Sequence, residues 1–234
     1  MRYKSFKRIA SITMGLFLFS ISQAQLFYRI EADFSIKEIS ANGNENLLMG
    51  KSYYDKNVRK IVSEIKFPQK EVMVITDSSI THINAGKKEP QKMGKAVIDF
   101  SVFNLFLNGD IDYYGLKNTP YELQGVEKDE DLVISTWILK DHFTKSSTQK
   151  MMLSQKDNKL YGLVTFDEKD YIVSKQLFRD YVEVEGMQFP SRIIQILYYP
   201  DGSQLKRITE YSNVILNSPL NNEFYYYKVP HTSY

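Results

Sequence analysis

One pattern governs most of this chain: short runs with apolar residues at alternate positions, each closed by residues that favour turns. Phe34 and Ile36 alternate with Ser35 and Lys37 ahead of Asn42-Gly43-Asn44, whose residues tolerate positive φ. From Arg59 onward, Ile61, Ser63, Ile65 and Phe67 fall on one face and Lys60, Val62, Glu64 and Lys66 on the other. Pro68 ends this run, because proline has no N–H to give a sheet ladder. Val72–Thr76 is apolar on both faces, as expected of a strand covered on both sides. The hairpin Tyr121–Glu127 and Leu132–Leu139 turns at an acidic cluster, and comparable runs continue to a last predicted strand at Phe224–Val229. About eleven or twelve short antiparallel strands with no linker, repeat or low-complexity tract between them predict one mainly β domain, an open or closed barrel.

One stretch breaks the rhythm. Between Lys95 and Asn108 the residues Val97, Ile98, Phe100, Val102, Phe103, Leu105, Phe106 and Leu107 leave almost no polar stripe on a helical wheel. A helix that is apolar nearly all round has to be buried on more than one side. Gly109 suits its C-terminal cap. Ile98 to Val102 also fits a strand by alternation, so periodicity alone leaves both forms open.

The N-terminus carries a second constraint. Arg2, Lys4, Lys7 and Arg8 precede a largely apolar run from Ile9 to Ile21, and Ser22-Gln23-Ala24 offers small residues where a signal peptidase cuts. Residues 1–24 read as an export signal and 25–234 as the mature domain; a retained N-terminal anchor is the alternative. Without the signal's four basic residues the net charge moves from +2 to −2, so the mature chain has no basic balance to attract nucleic acid. The chain has no cysteine, which removes disulfides, thiol catalysis and a lipid-anchored N-terminus. An exported domain without disulfides is expected in a bacterial periplasm.

Catalytic patterns are scarce. His82, His142 and His231 share no metal-binding spacing, no G-x-S-x-G elbow occurs, and there is no glycine-rich phosphate loop. The acidic clusters Glu127–Asp131 and Asp167–Asp170 fall at predicted hairpin tips, where carboxylates are ordinarily solvated. A non-enzymatic protein without cofactor or metal is expected. What stands out instead is 17 Tyr and 14 Phe, an aromatic supply suited to a half-buried pleated surface. With one helix to cover the sheet, that surface is either an ordinary filled core or the wall of an apolar cavity.

Several segments, in order, resemble the LolA family of periplasmic carriers of outer-membrane lipoproteins. They are Ala32-Asp33-Phe34 followed by Ser-Ile-Lys; Gly50 with Tyr53–Lys56; Ile61–Phe67-Pro68 and then Val72–Thr76-Asp77; Phe103–Gly109; and Phe224–Pro230. The resemblance implies an incomplete antiparallel half-barrel with a helical lid across its open face, taking up lipoprotein acyl chains or another lipid. It implies a soluble monomer moving between an inner-membrane donor and an outer-membrane acceptor. Ile61, Ile65, Phe67, Met73 and Ile75 would line the cavity, with Val97, Phe100, Phe103 and Phe106 from the lid. A basic residue in the second turn would gate that lid, Lys56 by position, with Arg59 the alternative. Such carriers also begin with a helix, for which the seven residues Gln25–Glu31 leave little room.

Overall fold

The computed structural model describes residues 27–77, 79–84, 90–94, 98–140 and 148–230. Residues 1–24, read above as an export signal, and Val97, His142 and His231 lie outside these residues. Six strands come first: β1 (Arg29–Ile39), β2 (Glu45–Asp55), β3 (Lys60–Phe67), β4 (Glu71–Thr76), β5 (Ile80–Asn84) and β6 (Gln91–Gly94). A helical stretch follows, with 3-10 turns at Ile98–Phe100, Ile111–Tyr113 and Leu116–Asn118 around helix α1 (Val102–Asn108). Seven further strands are β7 (Tyr121–Asp129), β8 (Leu132–Leu139), β9 (Lys150–Lys156), β10 (Lys159–Phe166), β11 (Ile172–Val184), β12 (Met187–Tyr198) and β13 (Gln204–Leu216). A short helix α2 (Asn222–Tyr225) precedes the end.

All thirteen strands form one antiparallel sheet in the order β6-β5-β4-β3-β2-β1-β13-β12-β11-β10-β9-β8-β7. Open sheets of this size curl rather than stay flat, since strand twist accumulates beyond about ten strands. The topology has a simple consequence. β6 and β7 are the two edges of the sheet, so the helical stretch that joins them has to cross a whole face. We call the face it covers the inner face. The first and last strands, β1 and β13, pair at the centre of the sheet.

The expectation of a mainly β half-barrel with a helical lid holds, with corrections in detail. Thirteen strands replace the expected eleven or twelve. The sequence reads as two strands, Tyr171–Phe178 and Tyr181–Glu185, but they are the single strand β11, because Asp180 bends the backbone at φ 53° without ending it, and Ser191 Oγ donates to its carbonyl. The helix is seven residues rather than fourteen, since Ser101 caps it by accepting from the Asn104 N–H. Gly109 closes it in the left-handed region at φ 68°, as its sequence position suggested.

Two further corrections share one cause. Phe224–Val229 forms no strand; α2 and the residues after it lie on the outer face of β2 and β3. Val62, expected on a polar face, is consequently fully buried on that side. Gly50 sits where the β2–β3 register shifts, and a Cβ there would meet the Glu64 carbonyl oxygen at 2.1 Å, so only glycine admits the close approach.

Candidate functional site

The inner face divides into a covered zone and an open one. In the covered zone α1 presents Val102, Phe103, Leu105, Phe106 and Leu107, all buried, to the sheet and to the neighbouring 3-10 turns. Phe189, from β12, is fully buried at the centre of an aromatic cluster. Phe106 meets it edge-on at 5.0 Å, Phe103 stacks at 6.3 Å and Tyr211 closes at 5.6 Å. Phe100 stacks on Tyr114 at 5.5 Å, and Tyr114 packs on Phe178 at 6.0 Å. Offset and edge-on ring pairs of this kind contribute about 0.5–1.5 kcal/mol each beyond the area they bury. Burial pushes the Tyr211 phenol well above its usual range.

Three polar contacts from the β2–β3 hairpin hold the crossing segment. Tyr54 Oη donates to Asn104 Oδ1 at 2.7 Å, and burial pushes the Tyr54 phenol up to about 12. Asn104 in turn donates to the Asp99 carbonyl at 3.2 Å, which ties the 3-10 turn to the helix. Lys56 Nζ donates to the Leu107 carbonyl at 3.3 Å, in the last turn of α1. Arg59 grips Asp77 through two bonds of 2.8 and 2.9 Å and reaches Asp99 at 2.9 Å. Lys56 and Arg59, the two alternatives left by the sequence, therefore both touch the crossing segment, each through one hydrogen bond, Arg59's being the shorter and to a carboxylate. Arg59's hydrogen bonds hold the Asp77 carboxyl below the usual carboxylate range.

Beyond α1 the inner face opens into a groove of about 710 Å³. Ile36, Leu48, Phe67, Met73 and Tyr211 form an apolar side. Glu38, Arg207, Gln195 and Thr209 form a polar side. The strand register brings these residues together on one face, because Ile36 pairs with Leu48 and with Thr209 while Glu38 pairs with Arg207 across the β1–β13 join. Tyr211 belongs to both zones, lining the groove and packing on Phe103 at 5.2 Å.

The sequence-derived wall thus falls on both sides of this division. Ile61 and Ile65 are buried, Ile61 within the packed core and half-buried Ile75 against it, and Phe103 and Phe106 fill the covered zone with half-buried Phe100 beside them. Phe67 and Met73 face the open groove, Phe67 with 48% of its surface exposed. Val97 falls outside the described residues. Ile36, Leu48, Tyr211, Glu38, Arg207 and Gln195 were not foreseen as site residues. Ile36 and Glu38, two residues apart on β1, share a face, but no local signal brings Arg207 beside Glu38. Among the described residues there is no group of three or more potential metal ligands, and no helix long and apolar enough to cross a membrane. His82 lies 3.6 Å from Glu71, away from any such group.

No family profile and no curated protein matches the sequence. Solved structures do match in fold. A LolA superfamily protein from Nitrosomonas europaea aligns at TM-score 0.57 and 15% identity over 84% of this chain and 90% of that one. A DUF1329 family protein from Desulfovibrio piger aligns at 0.60 and 14%, over 87% and 91%. A domain described as an outer membrane lipoprotein-sorting protein, from Vibrio parahaemolyticus, aligns at 0.50 and 11%, over 84% and 89%. The fold is LolA-like.

Proposed function

We propose that this protein is a soluble, non-enzymatic periplasmic carrier that shelters the acyl chains of a lipoprotein or another lipid on the inner face of its half-barrel, for transfer toward the outer membrane. The observation that carries the reading is the open groove, whose apolar side runs into the aromatic zone beneath α1 through Tyr211. Its volume lies within the range of about 300–1,000 Å³ usual for small-molecule sites. Each methylene moved out of water contributes about 0.8 kcal/mol, so a chain stays bound until an acceptor offers equal shelter. The crossing segment then serves as the lid, and longer chains enter the covered zone by displacing Phe103 and Phe106 from Phe189. Lys56 and Arg59 hold that lid closed. An inner-membrane donor and an outer-membrane acceptor complete the route.

The test is uptake of a fluorescent fatty acid by the purified protein, with mass spectrometry for co-purified lipid. Binding should strengthen roughly fourfold per added methylene until the groove is full. Met73→Asp, which puts a carboxylate on the groove wall without touching the aromatic cluster, should weaken it at least tenfold. Absence of both co-purified lipid and probe binding would overturn the carrier reading. The tight packing around Phe189 favours a second reading, a lipid-sensing or protein-interaction module whose covered zone stays filled. That reading is supported if binding saturates at short chains and α1 amides keep their exchange protection in the presence of ligand.

A further inference from the structure

The two sides of the groove differ in chemistry, and the polar side is already neutralised. Arg207 donates from Nε at 2.8 Å and from Nη2 at 2.6 Å, both to the single oxygen Glu38 Oε1. Its Nη1 faces Gln195 Oε1 at 3.5 Å. The pair is half-exposed at the groove wall, with side chains 38% and 31% exposed. The other acid of the lining, Glu45, has Lys37 at 2.8 Å. Beside this strip, on the same face of the sheet, stand Ile36, Leu48, Phe67 and Met73.

We propose that the groove selects a single-chain amphiphile with a zwitterionic headgroup, one carrying an anion and a cation a few ångströms apart, as phosphoethanolamine does. The inference rests on the reading of the groove as an acyl site and names the ligand class of that same site. The apolar side fixes where the chain lies, so the headgroup reaches the Glu38–Arg207 strip. A purely anionic head that takes Arg207 strips Glu38 of its counter-charge and is repelled by the carboxylate it displaces. A purely cationic head does the reverse and leaves the guanidinium unpaired. Taking one partner from this half-exposed pair leaves the other only partly solvated beneath the bound headgroup, a modest cost that a zwitterion avoids. A zwitterion exchanges one ion pair for two: its anion meets the planar donor face of Arg207 and its cation meets the Glu38 carboxylate. Gln195 and Thr209 offer further donors and acceptors to the same head.

The experiment compares three amphiphiles with the same myristoyl-length tail, each below its micelle concentration, by displacement of a fluorescent fatty acid from the full chain. They are lysophosphatidylethanolamine, myristate and a tetradecyl trimethylammonium salt. The zwitterion should bind about tenfold more tightly than either singly charged compound. Glu38→Gln should invert the order in favour of myristate, and Arg207→Gln in favour of the ammonium. The double variant should bind all three with little preference, which shows that the groove itself remains intact. Equal binding of the three heads by the unaltered protein, or an order unchanged in Glu38→Gln, would overturn this inference while leaving the acyl site standing. Failure of every amphiphile, the fluorescent probe included, would overturn the acyl site itself.

Discussion

Tyr53 and Tyr54 are neighbours in β2 that face opposite ways, and each anchors a different segment of the chain. Tyr53 points outward and stacks on Phe224 at 4.5 Å, under the C-terminal segment. Tyr54 points inward and holds Asn104 of the lid. The two attachments are built from different physics. On the outer face Arg29, only 6% exposed, bonds Asp55 at 2.7 Å, Asn222 at 2.9 Å and Tyr226 at 2.7 Å, and lies over the Tyr225 ring at 4.6 Å. Glu31 beside it, 2% exposed, accepts from Lys51, Asn221 and Tyr225. Burial, reinforced by the Glu31 charge, drives the Tyr225 phenol upward. On the inner face, by contrast, the lid's ion pairs are exposed and its grip is mostly apolar. A charge network sealed from water resists partial opening, whereas apolar contacts can be traded for a ligand's apolar chain at little net cost. On this contrast the C-terminal segment is expected to stay fixed and the crossing segment to be the one that opens.

The largest effect should come from breaking the outer attachment. Arg29→Met leaves Asp55 buried without its counter-charge, a change expected to cost about 3–5 kcal/mol. In a domain of this size that lowers the melting temperature by about 10 °C. A thermal melt that falls by no more than a degree or two would break the comparison, because the outer segment would then be no more fixed than the lid. Tyr54→Phe should cost less, about 1 kcal/mol, since Asn104 Oδ1 keeps the Asn108 amide at 3.1 Å. Its signature is local: amide exchange should quicken in Val102–Asn108 and not in β12 or β13. Equal acceleration across the whole sheet would show that the lid does not open separately.

Much of this contrast was hidden from the sequence for identifiable reasons. The strand rhythm, the single crossing segment and its glycine stop were legible because they depend on residues within one turn or one pleat of each other. The aromatic run Phe224–Tyr227 looked like a strand by composition. It became a helix and an extended tail because Asn221, at φ 60°, turns the chain and Arg29, nearly two hundred residues earlier, binds Asn222 and Tyr226. The groove was half legible. Phe67 shares the alternating face of Ile61 and Ile65, and Met73 joined the expected wall through the resemblance; Phe67 and Met73 line the groove, while Ile61 packs in the covered zone and Ile65 is buried. Which part of one face is roofed depends on where the β6–β7 connection crosses, and that is set by the pairing of β1 with β13.

The smallest effects should come from the exposed latch, and they sharpen the comparison by their size. Arg59→Ala removes contacts to Asp77 and Asp99 whose side chains are 51% and 59% exposed. Surface pairs of this kind contribute about 0.2–1 kcal/mol and weaken with salt. The variant should therefore melt almost as the parent does, yet admit a fluorescent fatty acid faster in a stopped-flow measurement, with the difference shrinking as salt is added. A slower uptake would contradict a latch. The same contact gives a pH dependence of definite sign. Asp77's carboxyl is lowered in the folded protein, so the unfolded chain binds the extra proton over the window between the two values. The stabilisation from the pair is complete well above the unfolded value of about 3.9, and it is lost as pH falls through the lowered folded value. Urea unfolding of the parent and Asp77→Asn should show a constant gap from neutral pH down to about pH 5, closing only in stronger acid. A gap that widened with acid would mean that Asp77 is protonated more readily when folded, and that Arg59 does not hold it.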